Sequence, residues 1–374
     1  MSLSSIPLDK KFRNIPQLRM LRMHRFLKVV LFFVLFFFFL ILMGCETSTE
    51  PVFQTGDIRM LLLGTRRDGK GPLYVKKLKE ARSHSIVSGL AYSVFEISLS
   101  PDGRKIALEI SLKNYFLVLN SDGTELRKIQ VPGSYFSQLQ FSPENSFVVG
   151  VLSLNDNTFL SVYDLRFNWM KQITEPDEKA YTFRILPDGK SLIYVANGKT
   201  LMQRNLDGSG KRMITQLPFS AYKLIFRRNG KRLYLHDGKN VYSMDFPKGN
   251  PVQLTHFTEG KLFDFDVSPD DKQIACLVGI TPDDGIFVVQ RESGQVREIF
   301  RGKDVQQPLR FTPDGQYIAF IMNQVVEQNS LLQLIFAIRP DGSHFHQISD
   351  LPYQGTDGKV KYPEFRRYAF FPLH

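Results

Sequence analysis

Short apolar stretches separated by turn sequences recur along most of this chain. The clearest example is residues 309–322, LRFTPDGQYIAFIM, in which one apolar run precedes Pro313, Asp314 and Gly315 and a second apolar run follows them. Proline presets φ at about −65° and glycine accepts the positive φ of a tight turn. The stretch therefore predicts a strand, a turn and a second strand.

The same hairpin recurs at a nearly constant interval. Proline occupies the turn position at 101, 143, 187, 269 and 313, and Arg228 takes this position in the fourth repeat, so the intervals are 42, 44, 41, 41 and 44 residues. A second turn follows about 20 residues later in each unit, as at Asp122 and Gly123. Four strands in about 42 residues are typical of a β-propeller blade.

The repeats predict an all-β, seven-bladed β-propeller over residues 55–374. Six full repeats run from about residue 93 to residue 349, and residues 58–85 match the back part of another. The tail 362–371 resembles the missing front strand, because residues 365–367 echo residues 226–228 of the fourth repeat. We therefore expect strands from both chain ends to pair and close the ring, which removes exposed sheet edges.

The first strand of each repeat has two different faces. Positions two and four before the turn proline are apolar in every full repeat and predict packing between blades. Positions three and five before it are mostly polar. Because the first strand of a propeller blade is innermost, this polar face predicts the lining of an axial channel, with candidate binding residues Glu96, Gln140, Arg184, Lys223, Asp264, Asp266, Arg310 and Glu364. Such a lining either binds a polar ligand or consists of mutually paired groups.

The N-terminal segment predicts export. Seven Lys and Arg residues precede an uncharged apolar run over residues 29–43, which is shorter than the about 20 residues of a spanning helix and fits a signal peptide. Residues 42–45, LMGC, resemble the bacterial lipobox. The resemblance implies a lipoprotein signal peptide over residues 1–44, a diacylglyceryl group on Cys45 and a tether over residues 45–54. The alternative is an uncleaved anchor helix. Glu46 in place of Asp favours the outer membrane.

The net charge argues against a nucleic-acid-binding function, and the cysteine content argues against a reactive thiol. The net charge of +11 includes +6 in residues 1–44, so the remaining 330 residues carry only +5. This excess does not predict a nucleic-acid partner, which requires a concentrated basic surface. With Cys45 lipidated, Cys276 is left alone in an apolar run, so we expect it to be buried and unreactive.

The repeats resemble those of TolB-type (WD-like, PD-repeat) β-propellers. The resemblance rests on segments such as SPDGRKIALEI with LNSDGTELRKI and TPDGQYIAFIM with AIRPDGSHFHQIS, and it covers nearly all of residues 55–371. It implies the blade structure, whereas propellers of this kind include binding scaffolds, lyases and peptidase lids.

No catalytic or metal motif is evident. The chain has no G-x-S-x-G sequence, and the turn aspartates are expected to bind their own turns. His344 and His346 could share one face of a strand, but no third ligand is near in sequence. We therefore expect no cofactor and no enzymatic activity.

The resulting functional prediction is a lipid-anchored, extracytoplasmic scaffold that binds a protein of the bacterial cell envelope. The candidate surfaces are the channel lining and the loops between second and third strands, at residues 65–70, 113–114, 155–157, 197–199, 236–239, 281–284 and 323–329. The alternative is a glycan-binding protein or polysaccharide lyase that uses Arg184, Lys223 and Arg310 in the channel.

Overall fold

The computed structural model describes residues 58–64, 71–80, 82–88, 90, 94–111, 113–226, 230–326, 330–350, 353–354, 360–361 and 365–372. The predicted signal peptide, Cys45, the tether and Glu364 lie outside these residues. Within the described ranges, no helix is long and apolar enough to cross a membrane. Apart from a 3₁₀ turn at Pro176–Glu178, the regular elements there are strands.

In chain order the strands are β1 (Arg59–Gly64), β2 (Leu73–Lys77), β3 (His84–Val87), β4 (Val94–Leu99), β5 (Lys105–Ile110), β6 (Tyr115–Asn120), β7 (Arg127–Gln130), β8 (Tyr135–Phe141), β9 (Phe147–Leu154), β10 (Asn157–Asp164), β11 (Trp169–Gln172), β12 (Thr182–Ile185), β13 (Ser191–Ala196), β14 (Thr200–Asn205), β15 (Arg212–Gln216), β16 (Lys223–Phe226), β17 (Arg232–His236), β18 (Val241–Asp245), β19 (Val252–Gln253), β20 (Lys261–Val267), β21 (Gln273–Ile280), β22 (Asp283–Gln290), β23 (Val296–Gly302), β24 (Val305–Phe311), β25 (Ile318–Val326), β26 (Ser330–Ile338), β27 (His346–Gln347), β28 (Tyr353–Gln354), β29 (Val360–Lys361) and β30 (Phe365–Phe370).

The described strands form seven four-stranded antiparallel sheets and one small pair, β28 with β29. We number the sheets as blades: β4–β7 are blade 1, β8–β11 blade 2, β12–β15 blade 3, β16–β19 blade 4, β20–β23 blade 5 and β24–β27 blade 6. Blade 7 has the strand order β30, β1, β2, β3. The prediction of an all-β, seven-bladed propeller is confirmed.

The turn between first and second strands is stabilised by its own side chains. In blade 6 the Thr312 hydroxyl donates to Asp314 at 2.6 Å and accepts the Tyr317 amide at 3.0 Å, while Gly315 has a φ of +72°. Ser100 with Asp102 and Ser268 with Asp270 form the same hydrogen bond in blades 1 and 5. The aspartate of the repeat motif therefore has the local role that turn chemistry predicts.

Apolar residues fill the spaces between adjacent blades. Alternate residues of one strand face opposite neighbours: Leu61 and Leu63 pack against blade 1, whereas Met60 and Leu62 pack against blade 6. Comparable buried clusters lie between the other adjacent blades. The predicted interior pairs, such as Leu309 with Phe311, lie in these clusters, and Cys276 is buried between blades 4 and 5. Each blade is thus stabilised mainly by contact with two others.

Blade 7 uses a different register from the one that the sequence echo predicts. The echo aligns Arg367 with the turn residue Arg228. In the structure Arg367 lies inside β30, and the amide of Phe371 donates to the carbonyl of Arg59 at 3.0 Å, as the amide of Ser100 donates to Lys105. Pro372, next to the glycine of the blade 1 turn, therefore occupies the turn position. The residue equivalent to Glu96 in blade 7 is Arg367.

We expect Tyr368→Phe to lower the free energy of unfolding by about 1–3 kcal/mol, the cost of leaving a buried acceptor without this donor. Tyr368 is 2% exposed, and its hydroxyl lies 2.8 Å from the carbonyl oxygen of Pro308 and 2.6 Å from that of Ala319, both in blade 6. Urea unfolding measures the change. Tyr181→Phe, at a residue that is 52% exposed, is the control. Equal urea midpoints for the two variants would contradict this role of Tyr368.

Candidate functional site

A cavity of about 860 Å³ lies where the first strands of six blades converge. Its lining comes from the first strands of blades 1, 2, 4, 5, 6 and 7 and from the turn between β17 and β18, and it consists of Glu96, Gln138, Tyr222, Lys223, His236, Asp237, Gly238, Lys239, Lys261, Leu262, Phe263, Asp264, Gln307, Pro308, Arg310 and Arg367. The position among first strands agrees with the predicted axial channel. Its volume is in the range of small-molecule sites.

The cavity opens on one particular face of the propeller. Because neighbouring strands are antiparallel, the beginnings of first strands share a face with the turns between second and third strands. Lys223 begins β16, and residues 237–239 belong to the turn after β17. We call this side the cavity face. The basal face, on the other side, contains the turns between first and second strands and between third and fourth strands.

Four of the eight predicted channel residues line this cavity: Glu96, Lys223, Asp264 and Arg310. The others are placed differently. The Gln140 amide donates to the carbonyl of Phe183 at 3.2 Å, and the Asp266 carboxylate accepts the Phe311 amide at 2.8 Å. Arg184 donates to the carbonyl of Phe183, and Glu364 lies outside the described residues. Positions five before the turn therefore surround the cavity, and positions three before it lie further along the strands, except for Arg310.

Asp264 is the centre of the charge network. Its side chain is 5% exposed and accepts Lys223 at 2.5 Å, Arg310 at 3.1 Å and the Leu309 amide at 2.9 Å. Burial alone would raise the pKa of Asp264, but the charges of Lys223 and Arg310 lower it to about 2. Burial, assisted by repulsion from Arg310, lowers the pKa of Lys223 to about 8. This part of the lining is mutually paired.

A second pair lies on the opposite wall. Arg367 contacts Glu96 at 3.3 Å and stacks over Phe95 at 5.7 Å. Behind it, the carboxylate of Glu109 accepts the Gln138 amide at 2.9 Å. Burial raises the pKa of Glu109 to about 7, and the nearby Glu96 charge adds to this effect. Gln138 has a φ of +54° at a bulge in β8, which turns its amide toward Glu109.

The lining contains more cations than carboxylates. Its Lys and Arg residues are Lys223, Lys239, Lys261, Arg310 and Arg367, against Glu96, Asp237 and Asp264. Asp237 already accepts the amides of Lys239 and Asn240 and the hydroxyl of Tyr242. Among the described residues, the ion pairs of the lining involve Lys223, Arg310 and Arg367, so Lys239 and Lys261 remain at the rim without one. Burial and the Lys223 charge lower the pKa of His236 to about 4, so it adds no charge at pH 7.

Four exposed aromatic residues stand near the beginnings of first strands on the cavity face, and two of them, Tyr222 and Phe263, line the cavity. The sequence reasoning missed them. Phe95, Tyr181, Tyr222 and Phe263 are 55%, 52%, 61% and 38% exposed. Each stands six residues before the turn position of its repeat. We call these four residues the rim aromatics. An aromatic residue at the same position in four repeats was the available signal, but it stood outside the apolar pairs that define the core.

The described residues contain no group of three or more His, Cys, Asp and Glu that could hold a metal ion. His344 has a φ of +56° and lies in the turn before β27, so it does not share a strand face with His346 as the sequence suggested. The His346 ring is instead within hydrogen-bond distance, 2.7 Å, of the carbonyl of His344.

We expect Glu109→Gln to change the pH dependence of stability. Because the pKa of Glu109 is raised to about 7, the native state holds a proton that the unfolded state releases near pH 4.5. Wild-type stability should therefore fall, relative to the variant, as pH rises between these values, by at most about 1.4 kcal/mol per pH unit. Urea unfolding at pH 5, 6, 7 and 8 measures this. Glu292→Gln, at an exposed carboxylate, is the control; a pH-independent difference for Glu109→Gln would refute the assignment.

No protein-family model and no curated protein sequence matches the chain. Solved structures do. An oligogalacturonate lyase in complex with manganese is 16% identical over 75% of this chain and 86% of its own, with a TM-score of 0.63. A candidate 6-phosphogluconolactonase from Bacteroides uniformis is 14% identical over 84% and 99%, with a TM-score of 0.57. TolB from Acinetobacter baumannii is 16% identical over 83% and 82%, with a TM-score of 0.48.

At these identities the likeness shows the fold alone. The β-propeller fold carries many unrelated functions, so these similarities do not decide between catalysis and binding for this chain. The chain is a seven-bladed β-propeller, as the repeats that resemble those of TolB-type propellers predict.

Proposed function

We propose that this chain is a lipid-anchored, extracytoplasmic β-propeller that binds a protein partner of the bacterial cell envelope on its cavity face. The observation that carries the proposal is the presence, on one face, of the four rim aromatics and a cation-rich cavity whose lining includes Tyr222 and Phe263. Exposed aromatic and arginine side chains are the residue types that contribute most to protein interfaces.

The charges define the partner's chemistry. The carboxylates of the cavity are already bonded to the protein itself, whereas Lys239 and Lys261 stand at the rim and Arg310 keeps a 39% exposed side chain. A partner segment with carboxylates would find Lys239 and Lys261 there, which have no ion pair among the described residues, together with aromatic surface on which to pack. We therefore propose that the bound segment is acidic.

The membrane attachment in this proposal comes from the sequence. The LMGC resemblance to a lipobox implies a diacylglyceryl group on Cys45, and the apolar run before it implies export. The body would then face the periplasm or the exterior, with the outer membrane favoured by Glu46. Ring closure by strands from both chain ends also belongs to the proposal, and the pairing of β1 with β30 supports it.

The second candidate function is binding of an acidic glycan in the same cavity. The cavity volume of about 860 Å³ favours it, because this volume lies within the range of small-molecule sites. Lys223 and Arg310 are two of the three cations from which the sequence suggested this alternative, and both line the cavity. Arg184, the third, does not.

We expect Tyr222→Ala and Phe263→Ala each to reduce capture of the partner about ten-fold, the effect of losing about 1.4 kcal/mol at an interface hot spot. The measurement is affinity capture of the full lipidated protein from detergent-solubilised envelope, with crosslinking and quantitative mass spectrometry. Met213→Ala, which is 63% exposed on an outer strand, is the matched control.

Equal recovery of the same partner by all three variants would contradict docking at the rim aromatics. If no protein is enriched, titration of the purified protein with uronic-acid oligosaccharides tests the second candidate. Binding that is lost in Arg310→Gln and kept in Met213→Ala would then assign the cavity to glycan instead of protein.

A further inference from the structure

The large apolar side chains that are exposed in the described residues fall into two sets. Four are the rim aromatics on the cavity face. The others stand at or just before the beginning of a fourth strand, on the outer edge of the basal face, and are Leu126, Phe167, Trp169, Met213, Val252, Val296 and Phe345. The second set has no part in the proposed partner site.

Three of these residues lie beside two arginines where blades 1 and 2 meet. Leu126, Phe167 and Trp169 are 48%, 70% and 41% exposed. Arg127, next to Leu126, donates to the carbonyl of Leu165 at 3.3 Å and to Asn168 at 2.6 Å, which joins blade 1 to the blade 2 turn. We call Leu126, Arg127, Arg166, Phe167 and Trp169 the basal patch.

Ring contacts hold the blade 2 part of the basal patch together. The Arg166 guanidinium lies 5.3 Å from the ring centroid of Phe167 and 5.2 Å from that of Phe147, and the Phe147 and Trp169 centroids are 6.5 Å apart. Arg166 also pairs with the buried Asp164 at 3.2 Å, yet its side chain remains 57% exposed. The arginine is thus fixed beside the exposed rings.

In blade 2 the turn between the third and fourth strands, which precedes Trp169, has a different sequence from the same turn in other blades. The equivalent turns of blades 1, 3 and 6 have Asp followed by Gly, at 122, 207 and 341, and each of these aspartates accepts hydrogen bonds within its own turn. Blade 2 instead presents Phe167 between Arg166 and Asn168. Surfaces that lie at the headgroup level of a membrane are rich in aromatic residues with Lys or Arg beside them.

The chain joins the propeller on this same face. Ile58 precedes β1, and its carbonyl accepts the Leu78 amide at 2.9 Å, where β2 ends. The carbonyl of the neighbouring Arg59 accepts the Phe371 amide. Phe371 lies beside Gly103, in the turn between the first and second strands of blade 1, and this turn belongs to the basal face. Cys45 precedes Ile58 by 13 positions, a span of at most about 45 Å when fully extended. A lipid on Cys45 would keep Ile58, which precedes β1 on the basal face, within that distance of the bilayer.

We infer that the basal patch contacts the lipid surface to which Cys45 is anchored, with Phe167 and Trp169 at headgroup level and the two arginines near lipid phosphates. The cavity face then points away from the bilayer, where a partner reaches it. This inference rests on the lipid anchor of the proposed function, and the test below separates the two.

Trp169 is the only tryptophan of the chain, so its fluorescence reports on the basal patch alone. The full lipidated protein is reconstituted into phosphatidylethanolamine and phosphatidylglycerol vesicles with or without brominated acyl chains. Brominated lipid should quench Trp169 about two-fold or more, because a side chain at an interface lies within about 5–10 Å of the acyl boundary. Phe167→Ser should reduce the quenching, and Met213→Ser, on blade 3, should leave it unchanged.

Mass spectrometry of the N-terminal peptide is read on the same preparation. If Cys45 carries lipid and Trp169 is not quenched, the inferred membrane contact of the basal patch is wrong and the lipid anchor is supported. Quenching with unmodified Cys45 supports the patch and removes the anchor. Quenching that Phe167→Ser leaves intact, with circular dichroism like that of the wild type, overturns the assignment of the contact to this patch. Trp169 that is unquenched in vesicles but shielded in native envelope overturns it in favour of a protein cover.

Discussion

Packing between neighbouring blades is the constraint on which the rest of this structure depends. A single blade has apolar residues on both faces, as Met60 and Leu61 show for β1, and it can bury both only between two other blades. The blades therefore surround an axis. Apolar residues two and four before each turn position must face a neighbour, and the alternate positions of the first strand then face the centre.

The inward-facing positions of the first strands meet at the centre of the ring. Whether a charged side chain there is paired within the protein or free to bind a partner depends on its exposure to solvent. Within the lining, Asp264 is saturated by Lys223, Arg310 and two backbone amides, because a buried carboxylate without such partners would be costly. Solvent at the mouth removes that requirement. Lys239 and Lys261 can stand there without a carboxylate, beside the rim aromatics. The interior of the site is hence structural, and its mouth is the part that is suited to recognition.

The features that could be predicted from the sequence are those that recur in every blade. The blade period, the interior pairs, the hydrogen-bonded turn aspartates and the burial of Cys276 all follow from local chemistry repeated at a fixed interval, and the structure confirms them. The register of blade 7 was wrong, because the echo between residues 365–367 and 226–228 was stronger than the alternation that places Tyr368 in the core. Arg367 was missed as a cavity residue for that reason.

The sequence also could not predict how far along the propeller axis each inward-facing side chain lies. Positions three and five before the turn share a face, so alternation alone cannot tell which of them reaches a cavity. That depends on features such as the bulge at Gln138 and the reach of Arg310 back to Asp264. The rim aromatics were not predicted because they stand near the strand beginnings, outside the apolar positions that the repeat alignment assigns to the core.

The most direct test of the central claim is crosslinking of the full-length protein in native envelope, with residue-level mass spectrometry. If the cavity face binds the partner, crosslinks to one protein will cluster at Lys239 and Lys261. Basal lysines such as Lys190 and Lys272, in the turns between first and second strands, will give none to that protein. Crosslinks to a partner that cluster on those basal lysines, with none at the mouth, would contradict the account.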